Sequence, residues 1–279
     1  MQTGQPSRTA LSAAIHRAAH QLLEQGRIFA DPLAVRILAQ PPEAILRVVD
    51  AYPEQRGMRL FIAARTRFAE DALAAAVARG TRQLVVLGAG LDTFAYRNPY
   101  ADEGLAVFEV DHPATQAWKR ARLAEVEIVP PLGLTYAPVN FETAILADGL
   151  AAAGFDPARP SFFTWAGVVP YLTRAAVLAT LAYVGGLPGG SEIVFDYSDP
   201  PSTLGDEQRA AQALRAERVA QIGEPWITYF SADELAGELG ALGFGEIEDL
   251  DPATIAKRYF AAPTGGDRRR GGHLIRAVS

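Results

Sequence analysis

The chain has 279 residues, 49% hydrophobic and 21% charged, which suits one large globular domain or two small ones and excludes a disordered chain. Thirty-two acids against 26 bases leave a formal net charge of −6, with no basic stripe to neutralise a phosphate backbone, so nucleic acid is not an expected partner. Cysteine is absent, which excludes disulfides, thiolate zinc sites and a cysteine nucleophile.

The stretch up to Ala10 lacks the apolar core of a signal peptide. Charged, Gly or Pro residues interrupt every later apolar run before the ~18 residues of a membrane span. A cytoplasmic protein without a membrane partner is expected.

Leu11, Ile15, Ala18, Ala19, Leu22 and Leu23 recur at helical spacing and predict a first helix over Thr9 to Leu23, capped by Ser7 or Thr9. Asp31-Pro32 predicts the start of a second helix through Leu38, closed by Pro41-Pro42, with a third from about Glu43 to Val49. A longer helix from about Gly57 to Ala78 carries Phe61, Ala64, Phe68 and Ala72 on one stripe. Gln83 to Gly88 is then a short apolar run rich in β-branched residues and reads as a buried parallel strand.

Further strands are expected at Leu105 to Asp111, Leu134 to Val139, Ser161 to Thr164 and Glu192 to Tyr197, with helices at Pro113 to Val126 and Arg174 to Val184. This alternation predicts an α/β fold with a doubly wound, mostly parallel sheet. Ala232 to Leu242 reads as a helix, and Phe244 to Leu250 and His273 to Val278 as strands. No convincing helix joins these two strands, so the last is expected to run antiparallel. The whole chain reads as one domain, with an N-terminal helical cap to about residue 55, a Rossmann-like core from about 56, and an insertion near 199–230. That insertion and the loop holding Pro263-Thr-Gly-Gly-Asp and Arg268-Arg-Arg are plausible surroundings of a site.

Gly88-Ala89-Gly90 follows the first strand directly, where missing side chains let a ligand approach the backbone. Asp111 lies 21 residues after Gly90, at the end of the second strand, where a carboxylate can accept both hydroxyl hydrogen bonds of a ribose. Thr93 stands where a dinucleotide fingerprint wants its third glycine, which makes NAD the weaker ligand. Asp92 either binds a ligand ammonium or caps the following turn. Arg65 shares the apolar stripe of its helix and needs an anion, either a ligand carboxylate or a protein acid. Arg67 and Asp71 read as a solvated pair.

Five stretches together resemble the leucine carboxyl methyltransferase-like family, and more closely its bacterial branch of S-adenosylmethionine-dependent methyltransferases. They are Pro6-Ser-Arg-Thr-Ala-Leu, Ile28-Phe-Ala-Asp-Pro-Leu-Ala, Ala64-Arg-Thr-Arg-Phe-Ala-Glu-Asp-Ala-Leu, Leu87-Gly-Ala-Gly-Leu-Asp-Thr-Phe-Ala-Tyr-Arg and Val107-Phe-Glu-Val-Asp-His-Pro. Gly167-Val-Val-Pro-Tyr-Leu and Gly272-His-Leu-Ile-Arg-Ala extend the similarity to the carboxyl terminus. The resemblance implies a class I methyltransferase fold and S-adenosyl-L-methionine as cofactor. It implies that Arg65 holds the methionyl carboxylate, Gly88, Ala89 and Gly90 pass beneath the cofactor, and Asp111, with His112 beside it, binds the ribose. Asn140 and Phe141 would flank the adenine, with Ala166 nearby. Two departures stand out: Asn140 replaces the family's usual Asp, and Ala166 a Glu found in many members.

The sulfonium methyl is electrophilic without help from the protein, so alignment and desolvation suffice, and a carboxylate acceptor needs no base at pH 7. The expected reaction is O-methylation of a carboxylate or hydroxyl on a small molecule or peptide, in secondary metabolism. The alternatives are an NAD-linked oxidoreductase and an inactive cofactor-binding interaction protein. Tyr171 and Tyr197 are expected to line the substrate pocket, or else to pack with satisfied hydroxyls. Arg8 either neutralises an acidic substrate or is simply exposed. His16 and His20, one turn apart, lack further ligands in sequence, and no metal is expected.

Overall fold

Strand β1 (Gln83–Leu87) is buried at every position, as expected of a central parallel strand covered on both faces. It pairs in parallel with β2 (Ala106–Asp111) on one side and β4 (Ser161–Trp165) on the other. Strand β3 (Leu134–Pro138) extends the sheet beyond β2, and β5 (Ser191–Ser198) extends it beyond β4. Strand β7 (Gly272–Val278) then runs antiparallel between β5 and β6 (Glu246–Leu250). The resulting order, β3-β2-β1-β4-β5-β7-β6, is that of a computed structural model describing residues 7–260 and 271–279. The seven strands match their expected positions to within two residues.

Period-two alternation divides the core. Val85, Leu87, Phe163, Trp165, Phe195 and Tyr197 face Leu150 of α5 (Leu146–Ala152), Val177 and Leu181 of α6 (Arg174–Gly185) and Leu235 of α8 (Ala232–Ala241). On the opposite face Leu84, Val86, Phe162 and Val194 meet Phe68, Leu73 and Ala76 of α3 (Arg56–Ala78). A third cluster joins α1 (Arg8–Leu23) and α2 (Pro42–Asp50) to Leu91 and to Leu123 of α4 (Pro113–Glu125). The cap helices therefore lie against the turn that follows β1.

Two local expectations need correction, and two helices add to those expected. Residues 32–38 form turns and one short 3₁₀ segment, Arg36–Leu38, instead of a helix. Asp31 is drawn into tertiary contacts with Arg17 and Thr93, and Ala39 adopts a left-handed conformation that ends the segment at φ 50°. The connection before β7 does contain helix, α9 (Pro252–Ile255) followed by a π turn at Ala256–Phe260. The insertion carries a 16-residue helix, α7 (Asp206–Gln221), and α5 fills the crossover between β3 and β4. Residues 263–270, including Arg268 to Arg270, lie outside the described residues.

Candidate active site at the carboxyl ends of the strands

The parallel strands end on one side of the sheet, where a cavity of about 1030 Å³ opens between the strand ends, α1, α3 and α7. Gly88, Ala89, Gly90, Asp92, Asp111 and His112 all line it. The loop after β1 folds back over β2, with Gly88 N and Ala89 N both donating to Val110 O at 2.8 and 3.1 Å. Gly88 and Gly90 have φ of 66° and 44°, a region costly for other residues. A Cβ at Gly88 would sit 2.4 Å from Val168 Cγ2, and one at Gly90 would sit 2.9 Å from Ala10 Cβ. These glycines therefore let α1 and the turn after β4 close on the loop, a requirement that exists before any ligand binds.

Asp111 holds the loop from below. Its Oδ2 accepts Gly90 N–H at 2.5 Å and its Oδ1 accepts His112 N–H at 2.6 Å. Burial pushes its carboxyl upward from the ordinary range, while these two N–H donors favour the charged form. A carboxylate offers about four acceptor positions, so two remain for a ligand. His112 caps α4, its Nδ1 accepting Ala114 N–H at 3.2 Å. Asp92 caps its own turn by accepting Phe94 N–H at 2.7 Å.

Arg65 enters the cavity from α3, and its Nη1 lies 3.0 Å from Asp196 Oδ2 on β5. Asp196 Oδ1 also accepts Gly167 N–H at 2.5 Å, which ties β4's exit turn to the same carboxylate. Arg65 Nε is buried without a hydrogen-bond partner, so the guanidinium is oriented by Asp196 and yet retains an unsatisfied donor. Asp196 was not foreseen. Its signal was an acid in the otherwise apolar run Ile193-Val-Phe-Asp-Tyr, at a position that alternation turns toward α3.

Asn140, Phe141 and Ala166 complete the same wall. Asn140 Oδ1 accepts Glu142 N–H at 3.1 Å and so serves its turn. The Phe141 ring packs against Trp165 with centroids 6.2 Å apart. Ala166 contributes no polar atom. Tyr171 lines the cavity, and burial pushes its hydroxyl upward from the ordinary range.

The remaining substrate candidates divide. Tyr197 lines the cavity but is only 1% exposed; its hydroxyl donates to Asp249 and its ring stacks on His273, so its polar end is occupied within the core. The side chain of Arg8 is exposed and outside the cavity lining, and its backbone N–H donates to Glu224 at 2.9 Å. Glu224 gathers the amino end of α1, accepting Thr9 N–H and Oγ1–H at 2.9 and 2.5 Å and Ser7 Oγ–H at 3.2 Å. A carboxylate there complements the helix dipole. Just beyond it, Ile227 N–H donates to Pro170 O at 2.7 Å, strapping the insertion to the turn after β4. Sequence reading missed Glu224 because its partners lie more than 200 residues away.

His16 lines the cavity with its Nδ1 unpartnered, and burial together with Arg59 lowers its pKa to about 4 against a hydrogen bond to Gln55. His20 turns elsewhere, toward Glu24 at 3.2 Å and Ile28 N–H at 3.3 Å. Among the described residues no group of three or more His, Cys, Asp or Glu is placed to hold a metal, and no helix is long and apolar enough to cross a membrane.

The family model for leucine carboxyl methyltransferase matches residues 10–185, from α1 through α6, and so includes Arg65, the glycine loop, Asp111 and Ala166. The chain belongs to this family. It is 35% identical over 203 residues to YktD of Bacillus subtilis, a candidate S-adenosyl-L-methionine-dependent methyltransferase, covering 71% of this chain and 65% of that one. It is 34% identical over 174 residues to a similarly named protein of Mycolicibacterium paratuberculosis, covering 62% of this chain and 53% of the relative. The chain thus spans between half and two thirds of the length of these two relatives. In three dimensions it resembles the crystal structure of a candidate methyltransferase from Thermobifida fusca (TM-score 0.58, 17% identity, 99% and 96% of the two chains covered). A Streptomyces avermitilis protein is also similar (TM-score 0.54, 19% identity, 95% and 96% covered). As a leucine carboxyl methyltransferase family member, the chain has the class I methyltransferase fold, with its antiparallel β7 inserted between β5 and β6.

Proposed function

We propose that this family member is an S-adenosyl-L-methionine-dependent methyltransferase that methylates a carboxylate or hydroxyl oxygen of a small molecule or peptide. The observation that carries the proposal is the buried, unpartnered Nε of Arg65, in the same cavity as the glycine loop and Asp111. A methionyl carboxylate would satisfy that donor, and the two free acceptor positions of Asp111 would take the ribose hydroxyls. The backbone of Gly88, Ala89 and Gly90 would run beneath the adenosine, with Asp92 and His112 at its edge and Asn140, Phe141 and Ala166 along the base.

When bound, such a cofactor supplies an electrophilic methyl group, and the protein's contribution is alignment and exclusion of water. Arg65 would hold the methionyl end of an extended ligand and Asp111 its ribose, while α1, held down by Glu224, covers the loop. A carboxylate acceptor is ionised at pH 7 and needs no proton removed. This agrees with a cavity histidine, His16, whose lowered pKa makes it a weak base.

Calorimetric titration with S-adenosylmethionine, S-adenosylhomocysteine and NAD, followed by transfer of labelled methyl to acids, phenols and peptides, tests the proposal. Binding of the two methionyl compounds and not NAD is expected, and binding of NAD alone would overturn it.

A further inference from the structure

Four arginines line the cavity: Arg17, Arg65, Arg215 and Arg218. Three have carboxylate partners. Arg17 pairs with Asp31 at 2.8 Å, Arg65 with Asp196 at 3.0 Å, and Arg218 with Glu54 at 2.6 Å. Arg215 differs. Among the described residues no acid lies within ion-pair distance of it, its Nε is buried without a hydrogen-bond partner, and burial alone lowers its pKa.

A half-buried guanidinium without a counterion is costly, and folded proteins keep such groups where a ligand supplies the missing charge. Helix α7 directs it there. Ala211, Leu214, Arg215, Arg218, Val219 and Ile222 recur at helical spacing and all line the cavity, so Arg215 sits on the face that α7 turns inward. Its neighbours on that face are largely apolar, and Arg218 beside it is already neutralised by Glu54. The segment that follows adds Trp226, which lines the same cavity.

We infer that Arg215 is an acceptor-binding residue, recognising a carboxylate on a substrate whose body is apolar. The inference deepens the methyltransferase reading and rests on it. One free guanidinium among apolar side chains matches a singly charged group; a phosphate dianion would call for a second free cation. The carboxylate held by Arg215 serves as an anchor. A bidentate guanidinium takes about two of its four acceptor positions and draws charge from both oxygens, which lowers their nucleophilicity, so the oxygen assigned to attack the methyl group is another atom of the substrate. The role once open to Arg8, neutralising an acidic substrate, is thereby filled from the insertion.

Matched pairs of ligands test this: phenylacetate against phenylacetamide and octanoate against octanamide, with phenylphosphonate as the dianion, titrated with and without saturating S-adenosylhomocysteine. The acids are expected to bind at least about tenfold more tightly than the amides, as one charge-assisted bidentate contact allows. Arg215→Gln should abolish that preference while leaving S-adenosylhomocysteine affinity unchanged, and Arg215→Lys should retain part of it. Because Arg215 has no ion-pair partner to lose among the described residues, Arg215→Gln should melt no lower than the parent protein. Equal binding of acids and amides, tighter binding of the phosphonate than of the acids, or an acid preference that survives Arg215→Gln would each overturn the inference. Failure of S-adenosylhomocysteine to bind, with the Arg215-dependent acid preference intact, would instead refute the cofactor assignment.

Discussion

Arg65 and Asp196 meet across the floor of the cavity, with Nη1 3.0 Å from Oδ2, although 131 residues separate them in sequence. The same carboxylate holds Gly167 N–H, so one acid fixes both a guanidinium on α3 and the turn leaving β4. A buried pair of this kind contributes more to orientation than to net stability, because desolvation offsets much of the attraction. Here the orientation leaves Arg65 Nε as a directed, unsatisfied donor.

Arg65→Ala is expected to weaken S-adenosylhomocysteine binding by about 1.5 to 3 kcal/mol, the range for a hydrogen bond to a charged group. Methylthioadenosine, which lacks the amino-acid end, should bind the variant and the parent equally. Calorimetry with both ligands checks this, and an equal loss for the two would make Arg65 a purely structural residue.

Asp111→Ala should behave differently, weakening both ligands because each carries the ribose. The substitution also removes acceptors from Gly90 and His112 N–H groups, at a cost of about 1 to 3 kcal/mol for a buried donor left unpaired. Denaturant unfolding separates the two effects. Affinity that falls no more than stability explains would remove Asp111 from the binding role.

Glu224→Ala should release the amino end of α1 from the strap that follows α7, costing about 1 to 2 kcal/mol as loss of a helix cap does. Amide exchange should then accelerate in the first turn of α1 and in Ile227, with the sheet unaffected. Uniform acceleration throughout the chain would show that the contact supports global stability instead.

His273 predicts a pH dependence. Burial opposes its charge, but hydrogen bonds with Asp199 at 3.1 Å and Asp249 at 2.9 Å prevail and raise its pKa to about 9. Because the folded value exceeds the unfolded 6.5, its contribution is complete below about pH 6.5 and is lost as pH rises through about 9. The loss is on the order of 3 kcal/mol at most. His16 acts in the opposite sense, with its contribution complete above about pH 6.5 and lost as pH falls toward 4. Urea midpoints measured from pH 4 to pH 10 should therefore fall on both sides of a maximum near neutrality; a midpoint still rising between pH 7 and 9 would contradict the His273 assignment.

Local pattern was enough to place the seven strands, the long helix of Arg65 and the glycine turn followed by Asp111, because apolar periodicity and turn residues act over a few positions. The same logic failed at Asp31, where a plausible helix start lost to ion pairs with Arg17 and Arg97. It also missed α7, whose hydrophobic stripe is interrupted by Arg215 and Arg218 facing the cavity.

The sequence by itself determined the order of the α/β elements, the glycine loop and the acid at the end of β2, since each depends on neighbours in the chain. Tertiary structure alone decided which charges meet: that Asp196 orients Arg65, that Glu224 caps α1, that the Tyr197 hydroxyl is spent on Asp249 and His273, and that Arg215 has no acid beside it among the described residues. Electrostatic pairing depends on distance in space, and the sheet brings together residues that lie 50 to more than 200 positions apart only after the chain has folded.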